Sequence, residues 1–177
     1  MKSVILKDEL HIRLMNWDDI DLMVKWLNDS NVLEFYEEPP STKQRVIKKY
    51  GPRIDGHHYV VPCIVEYSRQ PIGYIQYYKV PQSELKRYGL DEDHYFGIDQ
   101  FIGDTRLWGK GIGTRMIQMM LQYLLERGAS KVVLEVKKVN ERAISSYKKC
   151  RFEKVSDLDY ESDLMVWAAP VNSLIKD

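Results

Sequence analysis

The chain has little of what marks an exported, metal-binding or nucleic-acid-binding protein. Only two of its 177 residues are cysteine, Cys63 and Cys150, far apart and outside any CxxC pair. They read as reduced structural thiols in a reducing cytoplasm, with a disulfide between them as the alternative. No apolar run approaches ~18 residues, so no segment is expected to span a bilayer. The stretch Met1 to Glu9 turns acidic too early for the apolar core of a signal peptide. Excess charge is also missing: Lys and Arg number 26, as do Asp and Glu. Without a global field or a basic stripe, neither nucleic acid nor an anionic membrane surface is an expected partner. The four histidines, His11, His57, His58 and His94, form no HExxH and join no cysteine cluster, so no metal is expected. Internal repeats and low-complexity linkers are absent.

What remains is an ordinary globular balance, 44% hydrophobic and 29% charged, at a length that fits one domain. Leu10 to Leu14 alternates like a half-buried strand. Asp18 or Asp19 can cap a helix carrying Ile20, Met23, Val24 and Leu27 on one face. Asp29 to Pro40 reads as an acidic, aromatic loop, and Ser41 opens a second helix to about Tyr50. Tyr59 to Tyr67 and Pro71 to Val80 read as strands paired around Ser68-Arg69-Gln70. Pro81 to Asp93 is a polar excursion before strand character resumes from Tyr95 to Ile102. A helical stretch follows, with Met116, Met119, Met120, Tyr123 and Leu124 at helical spacing and Gly128 as its stop. Lys131 to Val136 is an apolar strand and Asn140 to Cys150 a helix. Phe152 to Val155 and Leu164 to Ala168 close the pattern. The order β-α-α-β-β-β-α-β-α-β-β predicts an α/β sheet with helices on both faces.

The strongest local chemical signal is Trp108-Gly109-Lys110-Gly111-Ile112-Gly113-Thr114-Arg115, between a strand and a helix. Small residues let backbone approach a ligand, and a helix start offers unpaired N–H groups with partial positive charge. With Lys110 and Arg115 adding formal charge, the segment suits a pyrophosphate; a tight turn with incidental glycines is the plainer reading. It is neither a Walker loop nor a dinucleotide fingerprint.

This loop resembles the acetyl-CoA motif of the GNAT acetyltransferases, Arg/Gln-x-x-Gly-x-Gly/Ala, with Trp108 where Arg or Gln is usual. Asn140 to Tyr147 resembles the family's Asn-x-x-Ala-x-x-x-Tyr, with Asn140, Ala143 and Tyr147 in place. Arg151 stands where a glycine usually precedes the phenylalanine, here Phe152. Gly97-Ile98-Asp99-Gln100-Phe101-Ile102-Gly103 resembles the Asp-Gln strand of the aminoglycoside 6'-N-acetyltransferases. Val32 to Tyr36, Pro71 to Tyr74 and Lys110 to Arg115 resemble the acetyltransferase half of the bifunctional acetyltransferase–phosphotransferase resistance enzyme.

The resemblance covers residues 10–168 and implies a single GNAT domain over residues 1–177. It implies a mixed, mostly antiparallel sheet of about seven strands, with one strand pair splayed to admit acetyl-CoA, the acetyl donor. It places Phe101, Ile102 and Gly103 beside the thioester, with a backbone N–H for the developing oxyanion, and Trp108 to Arg115 on the phosphates. Asp99 becomes the proton acceptor or electrostatic anchor of the acceptor amine, and Tyr147 the proton donor to the leaving thiolate. Tyr147 as a packed core aromatic stays open beside that role. Asn140 meets the pantetheine or caps its helix. A polycationic acceptor, foremost an antibiotic aminoglycoside, calls for carboxylates and aromatics: Glu34, Tyr36, Glu37, Glu38, Tyr74, Gln76, Asp99 and Glu135, the last in place of the family's Asp-Pro. Asp91-Glu92-Asp93 is read as rimming the site or as a solubilising run. The alternatives are a GNAT enzyme for another small amine or a protein N-terminus, and a non-catalytic acyl-CoA sensor. The protein is expected to be a monomer, or a homodimer paired through strand 162–168.

Overall fold

In a computed structural model of the protein, residues 3–36, 40–90 and 94–170 are described. Among the described residues, eight strands form a mixed sheet. The chain groups into two compact units, each assembled from separate stretches. One comprises Met1–Tyr77 and Gln100–Gly113; the other comprises Tyr78–Asp99 and Thr114–Asp177.

The first unit is an antiparallel meander. β1 (Ser3–Lys7) pairs with β2 (Leu10–Leu14), β2 with β3 (Val61–Tyr67), and β3 with β4 (Gln70–Lys79). The β3–β4 hairpin is tight: Tyr67 faces Gln70, and both Ser68 (φ 48°) and Arg69 (φ 67°) take the left-handed conformation that a two-residue turn demands. Helices α1 (Ile20–Trp26), α2 (Ser30–Leu33) and α3 (Lys43–Ile54) complete the unit. With seven residues α1 is too short to persist alone, so its stability comes from burial. Met23 and Leu27 are fully buried with Val46, Tyr50, Ile64 and Tyr74. Burying each such side chain contributes about 1.5–3 kcal/mol.

Asn16 provides one capping side chain, accepting from the Asp18 N–H at the 3-10 turn Trp17–Asp19 that leads into α1. Asp19 completes the capping box, its carboxylate accepting from the Asn16 N–H at 2.9 Å, and the same carboxylate holds Arg13. Both of its oxygens accept from Arg13 at 2.7 Å, while Arg13 Nε donates to Glu66 at 2.7 Å. All three side chains are nearly closed to solvent. The bond to Asp19 is the largest influence on the Arg13 guanidinium and raises its pKa, so it stays charged at every working pH.

The second unit holds the parallel crossover. β5 (Tyr95–Ile102) is followed by α5 (Ile112–Leu125) and then by β6 (Lys131–Lys137), which pairs with β5 in parallel. Parallel neighbours need a long connection of this kind. Met116, Met120 and Leu124 of α5 are buried, one per helical turn, and Gly128 (φ 86°) ends the run. After α6 (Glu141–Lys149), strands β7 (Glu153–Asp157) and β8 (Ser162–Ala168) close the unit.

Four features differ from the sequence expectation. The segment read as an acidic, aromatic loop contains α2, capped by the Asp29 side chain. β1 adds an eighth strand. The polar excursion contains α4 (Gln82–Tyr88), whose only buried positions are Leu85 and Tyr88, too few to show periodicity in a seven-residue helix. β8 is not an edge open to a second copy, because it hydrogen-bonds β6 on one side and β7 on the other. Asp91 to Asp93, Glu37 and Glu38 lie outside the described residues. Among those described, no helix is long and apolar enough to cross a membrane.

Candidate active site

The loop between β5 and α5 is held by its own polar atoms. The N–H groups of Gly103 and Asp104 both donate to the Ile72 carbonyl, at 2.8 and 3.1 Å. Asp104 caps the 3-10 turn Thr105–Leu107, and its carboxylate grips Arg106 at 2.9 and 2.8 Å. That guanidinium is the first cause holding the Asp104 carboxyl below its ordinary range; Lys110 adds to it. The Trp108 indole N–H then donates to the Ile102 carbonyl at 2.9 Å, folding the loop back on the strand end. In this family-motif position, Trp108 therefore acts as a loop pin rather than as a polar ligand.

Past Trp108 the backbone turns left-handed twice, at Gly109 (φ 75°) and Gly111 (φ 76°), with Lys110 between them. Only glycine adopts this freely. Among the described residues, the N–H groups of Gly109, Lys110 and Gly111 find no acceptor. They precede the first turn of α5, whose N–H groups also lack partners within the helix. Such donors, with Lys110 and with Thr114 and Arg115 in that first turn, fit a pyrophosphate. Gly113 differs from Gly111: a Cβ there would meet Ile102 Cδ1 at 3.6 Å, an ordinary contact. This explains why a Gly-or-Ala choice suffices at that place and glycine alone at Gly111.

The second unit carries two carboxylates in a defined relation. The parallel β5–β6 ladder runs Tyr95↔Lys131, Phe96↔Val132 and Gly97↔Val133 and ends there, although both strands continue. Side chains alternate along a strand, so Asp99 and Glu135 are the next residues on the face shared by Tyr95, Gly97 and Val133. Tyr95 and Val133 belong to one core cluster with Leu85, Tyr88 and Leu164. The Tyr78 ring covers Gly97 so closely that a Cβ would sit 2.4 Å from it. Asp99 is half-buried. Glu135 is not a bare acidic group: it accepts from the Arg87 guanidinium and, at 2.6 Å, from the Tyr88 hydroxyl. Burial, and next the Glu135 contact, raise the Tyr88 pKa, so this hydroxyl remains a donor.

In the first unit Phe101 is an aromatic hub. It stacks on Tyr74 (5.7 Å between centroids) and meets Tyr36 (4.8 Å) and Trp26 (5.9 Å) edge-on. Tyr36 is half-buried and Glu34 exposed. Two expected acceptor contacts lie deeper than anticipated. Tyr74 is wholly buried, and its hydroxyl donates to Gln76 Oε1 at 2.7 Å. The same oxygen accepts from Arg53 at 2.7 Å. Tyr74 is a core residue here, and Gln76, itself buried, is the hydrogen-bond partner of its hydroxyl. The N–H of Gly103, a residue expected beside the thioester, is committed to the Ile72 carbonyl. This residue must be glycine, since a Cβ would fall 2.3 Å from the Trp26 ring.

On α6, Asn140 caps the helix by accepting from the Ala143 N–H at 3.2 Å. Tyr147 is buried, its ring 5.9 Å from that of Phe152. Arg151, in place of the usual glycine, takes the left-handed conformation itself (φ 69°), so the turn survives with a strained residue. Both cysteines are free and buried. Desolvation pushes the Cys63 thiol up to about 12 and the Cys150 thiol to about 11, which disqualifies both as nucleophiles near neutral pH.

The acetyltransferase (GNAT) domain family model matches residues 16–160. The chain belongs to the GNAT acetyltransferase family. Over 151 residues it is 30% identical to an aminoglycoside N(6')-acetyltransferase type 1 of Klebsiella pneumoniae, spanning 83% of this chain and 75% of that protein. It is 29% identical over 110 residues to the spermine/spermidine N(1)-acetyltransferase of Bacillus subtilis (strain 168), spanning 60% and 68% respectively. The structure of AAC(6')-Ib in complex with ribostamycin and coenzyme A matches with a TM-score of 0.77 at 26% identity, over 94% of this chain and 96% of that one.

Within this GNAT frame, three polar residues escaped sequence reasoning. Arg53 is invisible because its partner Gln76 lies 23 residues away. Asp104 was legible as a capping residue before a short turn but was not singled out. Arg87 sits in the helix that was read as an excursion.

Proposed function

We propose that this GNAT acetyltransferase moves the acetyl group of acetyl-CoA onto an amine of a small polycationic acceptor, foremost the 6'-amine of an aminoglycoside, as an antibiotic-resistance activity. The observation that carries the acceptor reading is the pair Asp99 and Glu135, on one sheet face two residues beyond the last β5–β6 rung. Two carboxylates so placed favour an ammonium group over a neutral acceptor. The relatives named above, which act by name on an aminoglycoside and on spermine or spermidine, support the same class.

The proposed chemistry is a direct displacement. Lys110, Thr114, Arg115 and the N–H groups of Gly109 to Ile112 hold the donor's phosphates, and Phe101 and Ile102 line its thioester. Asp99 receives, or electrostatically holds, the proton that the acceptor ammonium must lose before its nitrogen can attack. The nitrogen bonds to the carbonyl carbon, the carbon–sulfur bond breaks, and Tyr147 protonates the departing thiolate. No acyl-enzyme is required, in line with two thiols held protonated by burial.

A second reading, a polyamine acetyltransferase, has the 29% identical spermine/spermidine relative in its favour. Thiol release from acetyl-CoA, with kanamycin, spermidine and a basic peptide as parallel acceptors, separates the cases. Turnover with kanamycin supports the proposal, and turnover with spermidine alone transfers it to polyamines. Turnover with the peptide alone, or with none, refutes a small polycationic acceptor.

A further inference from the structure

We propose that Arg87 is a built-in counter-cation for Glu135, which an acceptor ammonium must displace, so that Arg87 sets how tightly polycations bind. This rests on Glu135 belonging to the acceptor site as proposed above. Its physical ground is local to one helix and one strand.

α4 brings Arg87 and Tyr88 to the same carboxylate: the guanidinium and the phenol both donate to Glu135 Oε1. A guanidinium offers the charge and the N–H donors that a substrate ammonium would bring. It therefore occupies the position for which an acceptor amine competes. Three features make the contact exchangeable. First, the Arg87 side chain is 50% exposed and that of Glu135 37%, so water reaches the pair and it adds little to stability. Second, Arg87 has somewhere else to go: its Nε already donates to Glu84 at 3.0 Å, and its guanidinium lies 4.8 Å from the centre of the Tyr88 ring. Third, the helix does not depend on the pair, because Leu85 and Tyr88 are buried in the unit's core.

Displacement then has an asymmetric cost. Glu135 keeps the Tyr88 hydrogen bond and exchanges one cation for another, while Arg87 swings to Glu84. A singly charged amine gains little from the exchange. An acceptor that reaches Asp99 and Glu135 with two ammonium groups gains a second ion pair, so Arg87 discriminates against monoamines.

The test is calorimetric binding of kanamycin and of a monoamine, 2-phenylethylamine, to wild type, Arg87→Ala, Arg87→Gln, Glu135→Gln and Arg87→Ala/Glu135→Gln. The glutamine variant keeps hydrogen-bonding capacity toward Glu84 should alanine loosen α4, and unchanged melting and coenzyme A binding show that each variant is folded. Both Arg87 variants are expected to bind kanamycin about five- to tenfold tighter at low salt, a gain that shrinks as salt screens it. Glu135→Gln should bind it more weakly, and the double variant should show no gain over Glu135→Gln. Equal or weaker kanamycin binding by folded Arg87 variants overturns the proposal, as does no binding by any variant. A gain that persists without Glu135 overturns it as well. Failure of the acetyl-transfer reading looks different: the binding gain appears, but no variant releases thiol from acetyl-CoA.

Discussion

Asp99→Asn is expected to lower kcat/KM for kanamycin about 100-fold, near the lower bound for losing a general base. The substitution keeps the side chain's shape and removes its charge, so Phe101, Ile102 and the loop from Trp108 to Gly113 should be undisturbed. KM for acetyl-CoA should then stay at the wild-type value. The division of the loss identifies the role. A fall carried by kcat, with the kanamycin KM preserved, marks a proton acceptor. A rise in KM with kcat largely preserved marks an electrostatic anchor. A folded Asp99→Asn protein within about threefold of wild type in kcat/KM would remove Asp99 from the mechanism, since even the weakest general-base contribution exceeds that.

The largest effect on stability is expected at Arg13. Arg13→Ala strips the cation from two enclosed carboxylates, Asp19 and Glu66, whose side chains are 8% and 12% exposed. Removing one partner from a buried ion network costs about 3–5 kcal/mol, because the remaining charge is left without compensation. For a chain of this size that corresponds to a fall in Tm on the order of 10 °C. His11, bonded to the second oxygen of Glu66 at 3.0 Å, offers only partial replacement. Replacing all three residues by apolar ones of similar volume should recover much of the loss, since the penalty comes from stranded charge and not from a missing attraction. Urea denaturation of the single and triple variants measures both. A single variant less than about 1 kcal/mol below wild type would show that water reaches the network.

How legible was all this? The strand Leu10–Leu14 and the turn at Ser68 and Arg69 follow from alternation and spacing alone. The Lys110–Arg115 segment was readable because its chemistry constrains its sequence: left-handed backbone favours glycine at 109 and 111, and a helix start must follow. The depth of Tyr74 and Gln76 was not legible, because identity does not say which face of β4 meets the core. Their burial depends on Tyr50, Arg53 and Phe101, which reach them from other parts of the chain. Glu135 was rightly seen as a charge, yet its neutralisation by Arg87, 48 residues earlier, follows from register and not from composition. The Arg13–Asp19–Glu66 network left no sequence signal, since each member alone resembles a solvated surface charge.

The most direct test of the account is a competition. Equal concentrations of kanamycin and spermidine are offered with limiting acetyl-CoA, and the products are identified by mass spectrometry, with the modified nitrogen assigned by NMR. Kanamycin carrying one acetyl group on its 6'-amine, with spermidine largely unchanged, is the predicted result. Acetylspermidine as the sole product, or acetyl-CoA left intact beside both amines, would contradict it.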